Sequence, residues 1–282
     1  MTRLVTFGCS WTFGIGVGYE EGMNIVDYVK VRKDVDIANE HSFRGLLSKE
    51  FDLTNVNYSR GGSSNQRQFR EADEFEFQEG DIVLWGITST ARNEVWHARK
   101  NVYKSFFYNH AGTCDENASE TYIENDTTGD ISTFSVKKGP MDGDLCRYTK
   151  IVVKHFYSHR EEVRRLYHKI KHWNDYFKLK GVKIVWFDTL NHHKYEKNPD
   201  NMLYSDENYR DLLSRLSRNN GFNNLTDKYH FSWSKGFNDC GRINYLVGKK
   251  LVNPHSGHPT KEGHKQIAGM LKPYVKSCLE MS

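Results

Sequence analysis

No stretch of the chain approaches the ~20 consecutive apolar residues of a membrane span. The N-terminus reads directly as a strand, without the basic region and long apolar run of a secretory leader. The expectation is a soluble, cytoplasmic protein with no signal peptide and no membrane partner. Cysteine is scarce and odd in number: Cys9, Cys114, Cys146, Cys240 and Cys278 are widely spaced. That pattern argues against a disulfide framework and fits free thiols in a reducing compartment. Neither sign of charge is in marked excess. The 40 Lys and Arg against 36 Asp and Glu give a net charge of +4, too slight a bias to argue for nucleic acid. Basic runs at 30–33, 160–165 and 169–171 are interleaved with acids or sit on the polar side of a helix, and read as solvated faces. Internal repeats and low-complexity tracts are also lacking.

What is present is a core-forming chain rich in rings. Hydrophobic residues are 37% of the sequence and aromatic residues 13%, so Tyr, Phe and Trp supply much of the area available for burial. At 282 residues the chain is long for one domain and short for two, which favours a single α/β domain over 1–282 carrying an insertion. Four short segments, at 3–8, 54–58, 81–86 and 182–188, are β-branched or aromatic and bounded by Gly, Asn or Asp. They read as buried parallel strands. Helical spacing of apolar residues marks 42–51 and 161–180, with further helices expected at 206–219 and 261–271. The alternation predicts a three-layer α/β/α sandwich with a mostly parallel, flavodoxin-like sheet. Residues 97–154 break it and are expected to form an inserted lid or small subdomain. A second polar loop is expected at 191–204.

The most informative stretch is Leu4-Val-Thr-Phe-Gly-Cys-Ser-Trp-Thr-Phe-Gly14. A short strand ends in a Gly-x-Ser turn that opens a helix, a geometry that exposes Ser10 at the carboxyl edge of a parallel sheet. The competing reading is a serine that merely caps the helix. Far along the chain, Gly257-His-Pro-Thr-Lys-Glu-Gly-His264 sets His258 on a loop ahead of the last helix, where its imidazole can serve as the base such a serine needs. Cys9 reads as a small buried residue.

These pieces, with two others between them, resemble the blocks of the SGNH (GDSL-type) hydrolases, and more closely the divergent members found in tailed-phage genomes. In Phe7-Gly-Cys-Ser-Trp, Cys9 stands where the family shows Asp, and Ser10 aligns with the nucleophile. Asn57-Tyr-Ser-Arg-Gly-Gly-Ser-Ser-Asn65 is similar to the loop whose glycine N–H lines the oxyanion hole, with Gly62 the better match and Gly61 next. Asn65 and Arg67 are candidates for orienting it. Where the family has Gly-x-Asn, the chain reads Trp85-Gly-Ile-Thr-Ser-Thr-Ala-Arg-Asn-Glu94. The third oxyanion donor is then Ser89 or Thr88, whose hydroxyl can donate one hydrogen bond, or else Asn93.

The resemblance implies a serine-dependent ester hydrolase, an O-acyl esterase or deacetylase, that needs no cofactor or metal. Its substrate would be an ester of a small molecule or carbohydrate. His255 occupies the place of the family's acid, so the His258 ring must take its orientation from a backbone carbonyl, Asp239 or another acid brought in by the fold. The missing acid and Asn also motivate an alternative, an SGNH-like module that binds a ligand or protein without catalysis. A third arrangement, a metal held by His255, His258 and His264, lacks a completing Cys or carboxylate at recognisable spacing.

Overall fold

The computed structural model describes residues 1–88, 92–98, 101–107, 143–156, 159–189 and 251–280. The strands are β1 (Arg3–Phe7), β2 (Thr54–Asn57), β3 (Ile82–Ile87), β4 (Arg92–His97), β5 (Val102–Phe107) and β6 (Lys183–Asp188). The helices are α1 (Ser10–Phe13), α2 (Ile25–Val31), α3 (Val35–His41), α4 (Phe43–Glu50), α5 (Asn65–Asp73), α6 (Gly143–His155), α7 (His159–Lys180) and α8 (Lys261–Glu280). Four strands form one sheet in the order β2-β1-β3-β6 with every pairing parallel, and β4 and β5 form a separate antiparallel hairpin.

Both faces of the sheet are covered, which explains why its strands run apolar rather than alternating. On one face Leu4, Ile82, Leu84 and Phe187 meet Phe43 and Leu47 of α4 and Ile267, Leu271 and Val275 of α8. On the other, Val5, Phe7, Trp85 and Trp186 meet Phe69 of α5 and Leu166, Ile170, Trp173 and Phe177 of α7. The second layer is built of rings. Trp85 stacks on Phe7 at 4.7 Å and tilts against Trp186 at 4.8 Å between centroids. The expected α/β class with helices on both sides of a mostly parallel sheet is therefore the observed one.

This layout fixes where a site can form. From β1 the chain runs through α4 on one face to β2, and from β2 through α5 on the opposite face to β3. Where such connections diverge, beyond the carboxyl ends of strands placed like β1 and β3, open α/β sheets usually bind their ligands. The turn bearing Ser10 leaves β1 at that edge.

Some elements differ from the sequence reading. Residues 92–94, read as part of a loop after the third strand, begin the β4–β5 hairpin. Part of the expected insertion is thus a regular hairpin and part is α6, while 108–142 lie outside the described residues. So do the loop at 191–204 and the helix at 206–219. The last helix does not stop at 271. It continues through Pro273 to Glu280 because Tyr274, Val275 and Cys278 keep its inner face buried. The carbonyl that Pro273 leaves without its helical donor belongs to Gly269, which is exposed to water.

The Ser10 helix is braced from beneath by a buried cation. Arg44 is fully buried, and its guanidinium donates to Asn39 Oδ1 (2.7 Å), Asn55 Oδ1 (3.1 Å) and the Phe13 carbonyl (3.3 Å). Desolvation pulls its pKa down to about 10, so it remains charged at neutral pH and joins α3, β2 and the end of α1. Arg44→Ala would remove three hydrogen bonds that join these elements and open a cavity where the buried side chain stood. The expected loss is roughly 3 kcal/mol of stability, measured by urea denaturation.

Candidate active site

Ser10 is the first residue of α1. The N-cap is Cys9, and its side chain makes no capping bond, so the Ser10 hydroxyl is not spent on capping the helix. Ser10 is 6% exposed. Cys9 is fully buried and its thiol donates weakly to Thr189 Oγ1 (3.3 Å), whose own hydroxyl donates to the Ile87 carbonyl (2.9 Å). That chain pins the β1 turn to the ends of β3 and β6.

The Gly61-Gly62 turn follows β2 directly. Asn57 Oδ1 accepts from the Ser59 N–H (3.0 Å) and the Ser59 hydroxyl, shaping an Asx turn. Next, the Arg60 N–H donates to the Gly8 carbonyl (3.2 Å), two residues before Ser10. Gly62 has φ +74°, a left-handed conformation that favours glycine, and no atom lies within 4 Å of where its Cβ would stand. Ser64 caps α5 by accepting from the Arg67 N–H (3.1 Å). From the first turn of α5, Asn65 grips Thr88 with both ends of its amide, donating to the Thr88 carbonyl (2.9 Å) and accepting from its N–H (2.9 Å). The second and third sequence blocks are thereby locked together.

Of the three candidates for a further oxyanion donor, Ser89 lies outside the described residues. Thr88 is 3% exposed, and its Oγ1 has no hydrogen-bond partner. Asn93 accepts from the Glu94 N–H (2.9 Å) and lines a separate cleft of about 910 Å³ between α5, the hairpin and α7, which contains neither Ser10 nor His258.

The C-terminal motif reaches the same edge of the sheet. Residues 253–258 form a tight loop, with the Asn253 N–H donating to the His258 carbonyl and the Gly257 N–H to the Asn253 carbonyl, each at 2.8 Å. Thr260 caps α8 by accepting from the Gly263 N–H (3.3 Å). The loop docks on the turn after α1. A Cβ on Gly16 would stand 2.0 Å from the Pro259 carbonyl oxygen and 3.0 Å from the His258 carbonyl carbon, so the two backbones touch where only glycine fits. Beside this contact the Trp11 ring lies 6.4 Å from the His258 ring. Tyr28 completes the dock: its hydroxyl donates to the Ile15 carbonyl (3.2 Å) and shares a 2.7 Å bond with Ser256 Oγ.

His258 is half-buried, and its Nδ1 is buried without a hydrogen-bond partner. Its pKa is lowered to about 4, chiefly by desolvation and then by the positive charge of Arg92, with a smaller push from Arg32. The Ser256 backbone opposes the shift. The ring is therefore neutral at pH 7. Among the described residues no hydrogen bond joins it to the Ser10 hydroxyl.

The other two histidines of the motif have structural partners. His255 Nε2 is 2.7 Å from the Met23 carbonyl and its ring packs against Tyr19 and Tyr28. His264 is fully buried, with Nδ1 accepting from the Phe43 N–H (3.2 Å). Among the described residues no group of His, Cys, Asp or Glu gathers as metal ligands. Asp239 lies outside them. Sequence reasoning missed Gly16, Tyr28 and Arg32. For Gly16 a signal existed, the Gly14-Ile-Gly16-Val-Gly18 alternation immediately after the Ser10 helix.

No family model and no curated protein matches the chain. Among solved structures it is similar to a psychrotrophic esterase, EstA, from Pseudoalteromonas sp., at 10% identity and a TM-score of 0.42, covering 99% of this chain and 100% of that one. It is also similar to phospholipase A1 from Streptomyces albidoflavus NA297, at 12% identity and 0.46, covering 98% of each chain. A third is an extracellular lipase from Streptomyces rimosus, at 13% identity and 0.41, covering 99% and 100%. At identities and scores this low, activity has to be argued from the chain's own residues. No helix among the described residues is long and apolar enough to cross a membrane.

The Gly16 contact makes a paired prediction. Gly16→Ala should destabilise the protein by about 1–3 kcal/mol, because the clash is with backbone that cannot turn aside. Gly269→Ala, in α8 with nothing within 4 Å of the new methyl, should be neutral or stabilising by up to about 1 kcal/mol. Thermal or urea unfolding of the two variants reads both, and equal effects would deny the close approach.

Proposed function

We propose that the chain is a serine-dependent ester hydrolase of the SGNH type, acting on an O-acyl group of a small molecule or carbohydrate. One observation carries the reading: the Gly16 backbone seats against the His258–Pro259 peptide, so the loop of a neutral imidazole adjoins the helix of a serine whose hydroxyl is not a cap. The bond from Arg60 to Gly8 supports it by tying the glycine turn to the same edge.

In this reaction His258 accepts the Ser10 proton as Oγ bonds to the ester carbonyl carbon. The resulting oxyanion is held by the N–H groups of Ser10 and Gly62. His258 then protonates the departing alcohol oxygen as the ester C–O bond breaks, leaving an acyl-serine. Water adds to that carbonyl, again giving a proton to His258, and the carboxylic acid leaves as the proton returns to Ser10. Thr88, its backbone clamped by Asn65 and its hydroxyl without a partner, is better placed than Asn93 to assist the oxyanion, and Ser89 follows it directly in the chain. The role of the missing carboxylate is to fix the tautomer and stabilise imidazolium. A dyad without it runs slower.

The unpartnered Nδ1 of His258 favours a second reading, a ligand- or protein-binding module on the same fold. A fluorophosphonate probe separates the two: covalent labelling of Ser10 that is lost in His258→Ala supports the hydrolase, and an unlabelled Ser10 supports the module. Against ester substrates, Ser10→Ala should lower kcat by at least about 10³-fold. Equal rates for variant and wild type would reject Ser10 as nucleophile.

The pH profile follows from the imidazole. A base is active when deprotonated, and a pKa of about 4 leaves His258 deprotonated throughout the neutral range. The expected kcat/KM is flat between about pH 5 and 8, with its acid limb below that window. A limb centred near 6.5, the ordinary histidine value, would contradict the buried, arginine-flanked ring.

A further inference from the structure

We infer that Tyr28 is a positioning residue of the reaction, its hydroxyl holding the loop that carries His258 in register with the turn that carries Ser10. The inference rests on the hydrolase reading for its link to turnover. Tyr28 belongs to α2, a helix that supplies no reacting group in the proposed mechanism, and is 1% exposed. Its hydroxyl donates to the Ile15 carbonyl (3.2 Å) and lies 2.7 Å from Ser256 Oγ. A phenol carries one O–H. With that proton directed at Ile15, the short bond to Ser256 runs the other way, from the serine hydroxyl to the tyrosine oxygen.

Both ends of this chain of bonds lead to the proposed catalytic pair. The Ile15 N–H donates to the Ser10 carbonyl (3.1 Å), so the residue that accepts from Tyr28 is itself bonded to the nucleophile's own peptide. At the other end, Ser256 stands two residues before His258 in a loop closed on itself around Asn253, which is fully buried. The Asn253 N–H donates to the His258 carbonyl and its carbonyl accepts from the Gly257 N–H, each at 2.8 Å, while its Oδ1 accepts from the His255 N–H (2.7 Å). A loop braced at 253, 255, 257 and 258 moves as a unit, so a displacement of Ser256 is felt at the His258 ring. Nδ1 of that ring has no hydrogen-bond partner, which leaves the loop and its packing to set the ring's direction. Rates respond steeply to such placement, and a shift of about 1 Å can cost about 100-fold.

The test compares Tyr28→Phe, which keeps the ring against Tyr19 and His255 and removes only the hydroxyl, with Ser256→Ala, which breaks the same bond from its other end. With p-nitrophenyl acetate, each should lower kcat by about tenfold or more while KM stays within about twofold of wild type. The double variant should be no slower than Tyr28→Phe alone, because both substitutions remove one link. Ser256→Thr, which restores a hydroxyl, should recover most of the rate. An unchanged kcat in both single variants overturns the role, as does a loss in Tyr28→Phe that multiplies with that of Ser256→Ala. Should Tyr28→Phe fail to fold, the Ser256 variants decide: loss in Ala with recovery in Thr supports the role, and an unchanged kcat in Ser256→Ala overturns it.

A second measurement needs no turnover. In the Ser10→Ala protein, NMR of the histidine rings should show the His258 signals shifted by Tyr28→Phe and by Ser256→Ala, while those of His172, exposed on α7, stay in place. His258 signals that ignore both substitutions overturn the proposal. A protein inert to every ester, with those signals still moving, would sink the hydrolase reading alone. An active esterase whose kcat and His258 signals ignore both variants would sink the positioning role alone.

Discussion

The candidate site depends on one close approach, that of the Gly16 backbone to the backbone of His258 and Pro259. A Cβ there would fall 2.0 Å from the Pro259 carbonyl oxygen, and backbone cannot move aside as a side chain can. The contact sets how near the C-terminal loop comes to the Ser10 helix. Everything else at that edge either maintains it or exploits it. Arg44 holds the end of α1 from below through the Phe13 carbonyl. Tyr28 ties Ile15 to Ser256 from the side. The sheet contributes the rest: β1 lies between β2 and β3 in a parallel sheet, so the turns after β1, β2 and β3 leave it at the same edge.

Much of this was legible in the sequence. The four parallel strands were marked by short apolar runs ending in Gly, Asn or Asp, because a strand buried on both faces has no reason to alternate. Helix α4 was marked by the spacing of Phe43, Leu46 and Leu47, and the structure adds its cap, Ser42, which accepts from the Gly45 N–H. The two ends of the site were legible as motifs around Ser10 and His258. What was not legible depends on long-range packing. No local pattern says that His264 spends its Nδ1 on the Phe43 N–H, or that His255 turns to the Met23 carbonyl. The full length of α8 was hidden by Pro273, a residue that ends most helices. There, burial of Tyr274, Val275 and Cys278 outweighs the lost hydrogen bond.

The electrostatics of the site are unusual for a histidine that is to accept a proton. Among the described residues the two charged groups that shift His258 are arginines, and burial works in the same direction. A ring so placed is always neutral at physiological pH, which a general base requires, but it is a weak base, which slows proton transfer. The imidazolium formed during the proposed attack would stand in the positive field of Arg92 and Arg32.

The oxyanion that attack would create changes that balance. On the proposed reading its negative charge arises close to the imidazole just as the ring takes a proton, and in a site poor in water the two charges are screened less than on the surface. Part of what an orienting acid does for charge is then supplied by the reaction itself, while the part that concerns geometry falls to the packing of Trp11, Tyr28 and Gly16 around the His258 loop.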